Sequence, residues 1–256
     1  MTVTTSPILV TGGTGKLGAH VVPLLRAAGR DVRVLSRSTR PATEGIEYVA
    51  VDLMKGEGID AALAGVETVL HLAGGTKGDD KVTGNLVAAA KRADVKHIVY
   101  ISVIGADTMP LGWFKTQLDA ENAVTQSGIP WTMLRAAQFH DIVLMMAEKM
   151  VKMPIIPVPG GLTFQPVDSR EVAARLVELT LGAPAGKVRD LAGPKVYPLG
   201  DLLRDYMQAR GKKRPLMPMR MPGKAGKAYR AGDNLALKGN DVGRRTWEAF
   251  LKERVG

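Results

Sequence analysis

The sequence predicts an α/β protein in which a parallel β-sheet, buried on both faces, is covered by helices. Three observations carry that expectation. Short β-branched runs alternate with amphipathic helical stretches, the runs are apolar throughout, and glycines stand at the joints at Gly29, Gly65 and Gly128. In order, Ile8 to Thr11 reads as the first strand and Leu17 to Ala28 as the helix behind it, ended by Gly29. Strands follow over Val32 to Ser36, Tyr48 to Val51 and Thr68 to Leu72, then a helix over Val82 to Ala93. The alternation continues with a strand over Ile98 to Val103, a helix over Asp119 to Gln126 and a strand over Trp131 to Leu134.

From about residue 150 the pattern loosens, with Pro154, Pro157, Pro159, Gly160 and Gly161 in an irregular stretch. A helix over Ser169 to Leu181 has a start signal, since Asp168 or Ser169 can accept from its first free amides and Val172, Leu176, Val177 and Leu179 form its apolar stripe. A short strand over Val188 to Leu191 and helices over Leu199 to Ala209 and Arg245 to Arg254 complete the chain. The expected organisation is a core over residues 1–150 and a smaller, substrate-side part over 151–256 interleaved with it.

At 256 residues, 45% of them hydrophobic and 23% charged, the chain can bury one substantial core. It has no cysteine, which excludes a disulfide framework, a thiolate metal site and a thiol nucleophile; the histidines at 20, 71, 97 and 140 offer no zinc spacing, so no metal is expected. Met1 to Pro7 carries no basic residue ahead of its apolar run, and no apolar stretch nears the roughly 20 residues that span a bilayer. A soluble, cytoplasmic chain without a membrane partner is the expectation. The net charge of +10 raises nucleic acid as a partner. Eight of the positive charges fall between Arg210 and Arg230, a stretch with no acid. It has one aromatic residue, Tyr229, and three prolines that break any long recognition helix. A solvated flap or the rim of an anionic ligand's site fits better than nucleic acid.

The segment Ile8-Leu9-Val10-Thr11-Gly12-Gly13-Thr14-Gly15-Lys16-Leu17-Gly18 sets glycines at 12, 15 and 18 between a strand and a helix. Glycine permits the tight turn and the close approach of backbone to a pyrophosphate, and the helix start offers free N–H donors with about half a positive charge. This is a dinucleotide turn, and with the alternating elements it points to a doubly wound Rossmann fold. It is not a triphosphate loop, because Leu17 stands where a magnesium-binding hydroxyl is needed and Val10 where the first glycine is required. At the end of the second strand, where an acid would grip the adenosine ribose of NAD, stand Ser36 and Arg37. A hydroxyl followed by a guanidinium suits the 2′-phosphate of NADP; the plainer reading of Arg37 is a solvated charge.

With these residues, Asp52-Leu53, His71-Leu72-Ala73-Gly74-Gly75, Ile101-Ser102, Asp119-Ala120-Glu121 and Trp131-Thr132-Met133-Leu134-Arg135, the sequence resembles the NmrA-like branch of the atypical short-chain dehydrogenase/reductase family over roughly residues 7 to 181. The resemblance implies NADP(H) as cofactor, held at Gly12, Thr14, Gly15, Lys16, Leu17 and Gly18. It implies Asp52 and Leu53 beside the adenine, and Leu72, Ala73 and Gly74 along the linking phosphates and ribose. Ser102 would lie near the nicotinamide, with Ala137 and Phe139 closing over the ring. Plainer readings stand beside these: Asp52 as a turn cap, Phe139 as core, Ser102 as a backbone partner. The family's usual Tyr with Lys four residues on falls where this chain has Trp113 and Gln117, and no tyrosine has a lysine four later. Trp113, His140 and Met145, with Phe139 and Leu144, are expected at a small-molecule substrate pocket; helical spacing from Ile142 to Met150 equally allows the buried face of a helix. Two functions remain: an oxidoreductase passing hydride from NAD(P)H to a small quinone- or enone-like acceptor without that pair, or a non-catalytic sensor of NADP(H).

Overall fold

The computed structural model describes residues 6–75 and 77–255. In chain order the elements are β1 (Ile8–Thr11), α1 (Gly18–Ala27), β2 (Val32–Ser36), β3 (Ile46–Ala50), α2 (Ile59–Ala62), β4 (Thr68–His71), α3 (Asp79–Arg92), β5 (His97–Val103), α4 (Gly112–Thr125), β6 (Trp131–Ala136) and α5 (His140–Met150). They continue with β7 (Ile156–Pro159), β8 (Thr163–Phe164), α6 (Ser169–Leu181), β9 (Gly186–Lys187), β10 (Leu191–Ala192), β11 (Tyr197–Pro198), α7 (Leu199–Ala209), β12 (Leu216–Met219), α8 (Gly223–Ala231), β13 (Asp241–Val242) and α9 (Trp247–Arg254). These elements form two compact units. One takes the chain up to Ser102 with Thr116–Leu134 and Val172–Val188; the other takes Val103–Lys115, Arg135–Glu171 and the chain from Arg189 onward.

In the first unit a parallel sheet runs in the order β3-β2-β1-β4-β5-β6, with β9 beside β6. Leu9, Val69, Leu86, Ile98 and Ala120 are sealed from solvent in its core, which is why the strands read as continuous apolar runs. The fold is Rossmann-like: a mostly parallel central sheet flanked by helices. The strand order reverses between β1 and β4, and in such sheets the crevice beyond the carboxyl ends of the strands at that reversal is where a dinucleotide binds. Thr11 and His71, the last residues of those two strands, stand opposite each other in register.

In the second unit Leu191 of β10 pairs with Ala136, β13 lies beside β10, β12 pairs with β7 in parallel and β11 pairs with β8 in antiparallel fashion. α7 buries Leu199, Leu202, Leu203, Tyr206 and Met207, a stripe at helical spacing that packs into a core with Val143, Ile156, Trp247 and Phe250. The basic stretch from Arg210 to Arg230 is not an open flap. After an irregular segment up to Pro215 it holds β12, and α8 follows, closed by Gly232 in the left-handed conformation at φ +80°.

Several boundaries differ from the expected ones. α4 starts at Gly112, seven residues ahead of Asp119, because the aromatic pair Trp113 and Phe114 hides the helical period behind the Pro110-Leu111-Gly112 turn signal. Of the strand expected over Val188 to Leu191 only Leu191 lies in a strand, β10; β9 ends at Lys187, just ahead of the span, and belongs to the other unit. Among the described residues no helix is long and apolar enough to cross a membrane, and no cluster of His, Asp and Glu is arranged to hold a metal ion.

Candidate cofactor site

The glycine turn has the geometry that its spacing requires. Gly12 has φ +66°, and a Cβ there would lie 2.8 Å from the Ala73 amide nitrogen and 2.9 Å from the Leu72 carbonyl, so the turn and the β4–α3 loop pack backbone to backbone. At Gly18 a Cβ would collide with the Gly12 carbonyl and the Gly13 Cα, which fixes how closely α1 approaches the turn. Gly15 donates to the Gly12 carbonyl at 2.9 Å, and no backbone carbonyl among the described residues accepts from the amides of Thr14, Lys16 or Leu17. Thr14, Gly15 and Lys16 are exposed while Leu17 is buried. α1 carries no acid in its first turn and no side-chain cap, so its first amides are not met by a carboxylate of the helix itself. These residues fit the pyrophosphate of a dinucleotide.

Along the edge of β2, Ser36 is buried and its hydroxyl accepts from the Ser38 amide at 3.3 Å, whereas Arg37 is exposed. Asp52 accepts from the Met54 amide at 2.9 Å through one carboxylate oxygen, a local turn. Leu53 packs into the core, and its carbonyl receives the Asn85 side-chain amide at 2.8 Å. Leu72 and Ala73 are half-buried and Gly74 is exposed. The Thr11 hydroxyl accepts from the amides of Leu72 and Ala73 at 3.1 and 3.0 Å and lies 2.6 Å from His71 Nδ1.

Ser102 and Gln117 are both buried and both committed to acids. The Ser102 hydroxyl donates to Glu121 at 2.5 Å. Gln117 donates from Nε2 to Asp79 and receives the Tyr100 hydroxyl at 3.4 Å. Asp79 also accepts from the Gly75 amide at 2.7 Å; burial raises its pKa, against the lowering effect of the Gln117 and Gly75 hydrogen bonds. Burial, reinforced by the carboxylates of Asp79 and Glu121, pushes the Tyr100 phenol well above the usual tyrosine range. His71, stacked on Tyr100 at 5.3 Å, is depressed to about 4 by burial. Thr11, His71, Asp79, Thr83, Tyr100 and Glu121 were not legible as site residues, because their roles come from pairing across strands and helices.

In the second unit Trp113 is partly exposed and sits edge-on to Phe114, Ala137 is buried, and Phe139 bridges to Val167. Met145 is 42% exposed on α5. His140 departs from the expectation of a pocket residue. It has no exposed surface, its ring lies 5.1 Å from Phe250 and 6.0 Å from Trp247, and burial holds its pKa at about 4. A ring so enclosed presents no nitrogen to a substrate.

Comparison with known proteins agrees with this geometry. A family model described as NAD(P)H-binding matches residues 12–178. Quinone oxidoreductase 2 of Escherichia coli is 28% identical over 217 residues, covering 80% of this chain and 75% of that protein. The (4-alkanoyl-5-oxo-2,5-dihydrofuran-3-yl)methyl phosphate reductase of Streptomyces griseus is 32% identical over 198 residues, covering 73% of this chain and 68% of its own. The crystal structure of an E. coli NADPH-dependent quinone oxidoreductase complexed with NADPH superposes with a TM-score of 0.77 at 22% identity, covering 96% of this chain and 99% of that one. The strand order, the glycine turn and these matches together place the chain: it belongs to the NAD(P)H-binding family, in the NmrA-like branch of NAD(P)-dependent oxidoreductases.

Proposed function

We propose that this chain is an NADPH-dependent oxidoreductase of the atypical short-chain dehydrogenase/reductase type, passing hydride to a small conjugated acceptor of the quinone or enone class. The observation that carries the choice of acceptor is Gln117. It stands where the resemblance places a lysine, it carries no charge, and its amide is turned onto Asp79, so no ammonium lowers the pKa of a proton donor. Trp113, in the companion place, has no titratable proton. An acceptor must then tolerate hydride addition without a positioned acid. A quinone or enone does, because the resulting anion is delocalised and water can protonate it, whereas a simple ketone gives a localised alkoxide. The relatives named for quinone and for an alkanoyl-oxo-dihydrofuran phosphate support the same class.

When bound, the reduced nicotinamide supplies the hydride. The amides of the glycine turn and the start of α1 would hold the pyrophosphate, the Leu72–Gly74 backbone would run along it, and Ser36 with Arg37 would favour the 2′-phosphate of NADP. The same missing pair also suits a protein that binds NADP(H) only to regulate a partner. Anaerobic mixing with NADPH and matched quinones, enones and ketones separates the two readings. Oxidation of NADPH by quinones much faster than by ketones, flat from about pH 8 to 10, is expected. Equal ketone turnover, or a break near a tyrosine-like pKa, overturns the proposed acceptor class, and tight NADPH binding without turnover of any acceptor favours the sensor.

A further inference from the structure

β7 and β12 form a parallel pair with one face on a core and the other uncovered. Their register sets Leu216 opposite Ile156, Met217 opposite Pro157, Pro218 opposite Val158 and Met219 opposite Pro159. Successive side chains of a strand point to opposite faces. Ile156 is sealed, and Val158 and Leu216 pack on the core that α7 helps to build, so the alternate set faces away from it. That outward set is apolar as well. Met217 and Met219 are each 46% exposed, Ile155 just ahead of β7 is 51% exposed, and Pro157 and Pro159 complete the row. Parallel strands are ordinarily covered on both faces, and a sheet face left in water is ordinarily polar. An exposed apolar face rimmed by polar residues marks a surface that meets another body.

Here the rim is basic. Arg220 follows Met219 directly, Lys212, Lys213 and Arg214 lie just ahead of β12, and Lys152 lies just ahead of β7; all five are exposed. Neither Lys149 to Val167 nor Tyr206 to Gly232, the stretches that contain the two strands, holds an acid. We propose that this face docks on an anionic lipid surface, with Ile155, Met217 and Met219 entering the headgroup region and the flanking cations meeting the negative headgroups. Charge complementarity names the occupant. A second copy bound face to face would set the same cations against each other. A peptide added as a strand would meet Pro157 and Pro159 in β7 and Pro218 in β12, which have no amide to donate. An acidic protein surface is held in register by directional hydrogen bonds, and a row of Ile, Met and Pro side chains offers none. A bilayer interface asks only for apolar area beside cations. The proposal departs from the sequence-based expectation of a chain without a membrane partner. That expectation rested on the lack of a spanning stretch, and a surface contact needs none. None of these residues belongs to the candidate cofactor site, so the inference stands or falls apart from that reading.

Flotation of the full-length protein with phosphatidylcholine vesicles, with and without phosphatidylserine, at low and high salt, is the test. Flotation only with phosphatidylserine present is expected, weakened by salt as screening shortens the reach of the rim charges. Lys213→Gln should lower the partition coefficient about fivefold, the scale of one cation at an anionic surface. Met217→Gln combined with Met219→Gln changes no charge and should lower it about tenfold or more, with NADPH binding as in wild type. Ile155→Gln, from the other strand, supplies the same readout if the paired substitution fails to fold. Unchanged partition in these folded apolar variants overturns the docking of the face and leaves adsorption by the basic stretch alone. Equal flotation with and without phosphatidylserine overturns the anionic surface. Absence of flotation at low salt overturns the proposal, and dimers in sedimentation velocity that Met217→Gln with Met219→Gln dissociates would then make the face an interface between copies of the chain.

Discussion

His140 makes acid stability calculable. Its ring is fully enclosed against Trp247 and Phe250, and neither ring nitrogen has a hydrogen-bond partner among the described residues. Burial lowers its pKa from 6.5 to about 4; the carboxylates of Asp168 and Asp141 pull upward, and the guanidinium groups of Arg245 and Arg170 downward. The unfolded chain therefore takes up this proton at a higher pH than the folded one. The stability due to the neutral ring is complete above pH 6.5 and drains away as the pH falls towards 4. A separation of that size is worth about 3 kcal/mol in full and about 2 kcal/mol at pH 5, or roughly 4–8 °C in Tm for a chain of this length. Many carboxylates also titrate in that range, so the contribution is isolated by His140→Phe, which keeps the aromatic shape and removes no hydrogen bond. Urea denaturation followed by tryptophan fluorescence at pH 7.5 and 5.0 is the assay. The variant is expected within about 1 kcal/mol of wild type at pH 7.5 and to lose about 2 kcal/mol less on going to pH 5.0. Parallel losses in the two proteins would refute a neutral, buried His140.

Three further outcomes are expected. Arg37→Ala should reduce NADPH affinity about tenfold or more and leave NADH affinity unchanged, read by fluorescence titration, since a charge-assisted bond to the 2′-phosphate is lost. Gly18→Ala should weaken NADPH binding severely and cost about 1–3 kcal/mol of stability, because the methyl group meets backbone at Gly12 and Gly13 rather than a side chain that can move. Thr246→Ala should cost about 0.5–1 kcal/mol in thermal or urea denaturation, because the Thr246 hydroxyl receives the Ala249 amide at 3.3 Å at the start of α9.

What the sequence disclosed and what it hid follow from the range of the forces involved. β1, the glycine turn and α1 were readable because turn geometry and anion binding are local: Gly15 and Gly18 act on the Gly12–Gly13 turn a few positions away, whereas the close packing of Gly12 on Leu72 and Ala73 left no local mark. The apolar runs at Val32 to Ser36 and Ile98 to Val103 were readable because a strand buried on both faces leaves its mark in composition. His71 was visible as one of four scattered histidines and as the start of the His71–Gly75 motif, but its bonding was not, because its partners Thr11 and Thr83 are brought to it by strand pairing and helix packing. His140 was misjudged for the same reason. A histidine opening a helix beside apolar residues reads as a pocket rim until the side chains of Trp247 and Phe250, more than a hundred positions on, are seen to cover it.

The division of the chain into units has a consequence for synthesis on the ribosome. The unit that holds the glycine turn is not finished at residue 150, where the pattern of elements loosens. It needs Val172–Val188, including β9, which pairs with β6 through Thr132 and Gly186. At elongation rates of about 5–20 residues per second, the interval between residues 150 and 188 is roughly 2–8 s, during which the edge of β6 away from β5 still lacks its partner β9. A chain cut at residue 150 is held in that state permanently. Nascent chains stalled before residue 188 should therefore be readily digested by protease, and those stalled well beyond it, with the segment clear of the exit tunnel, should resist.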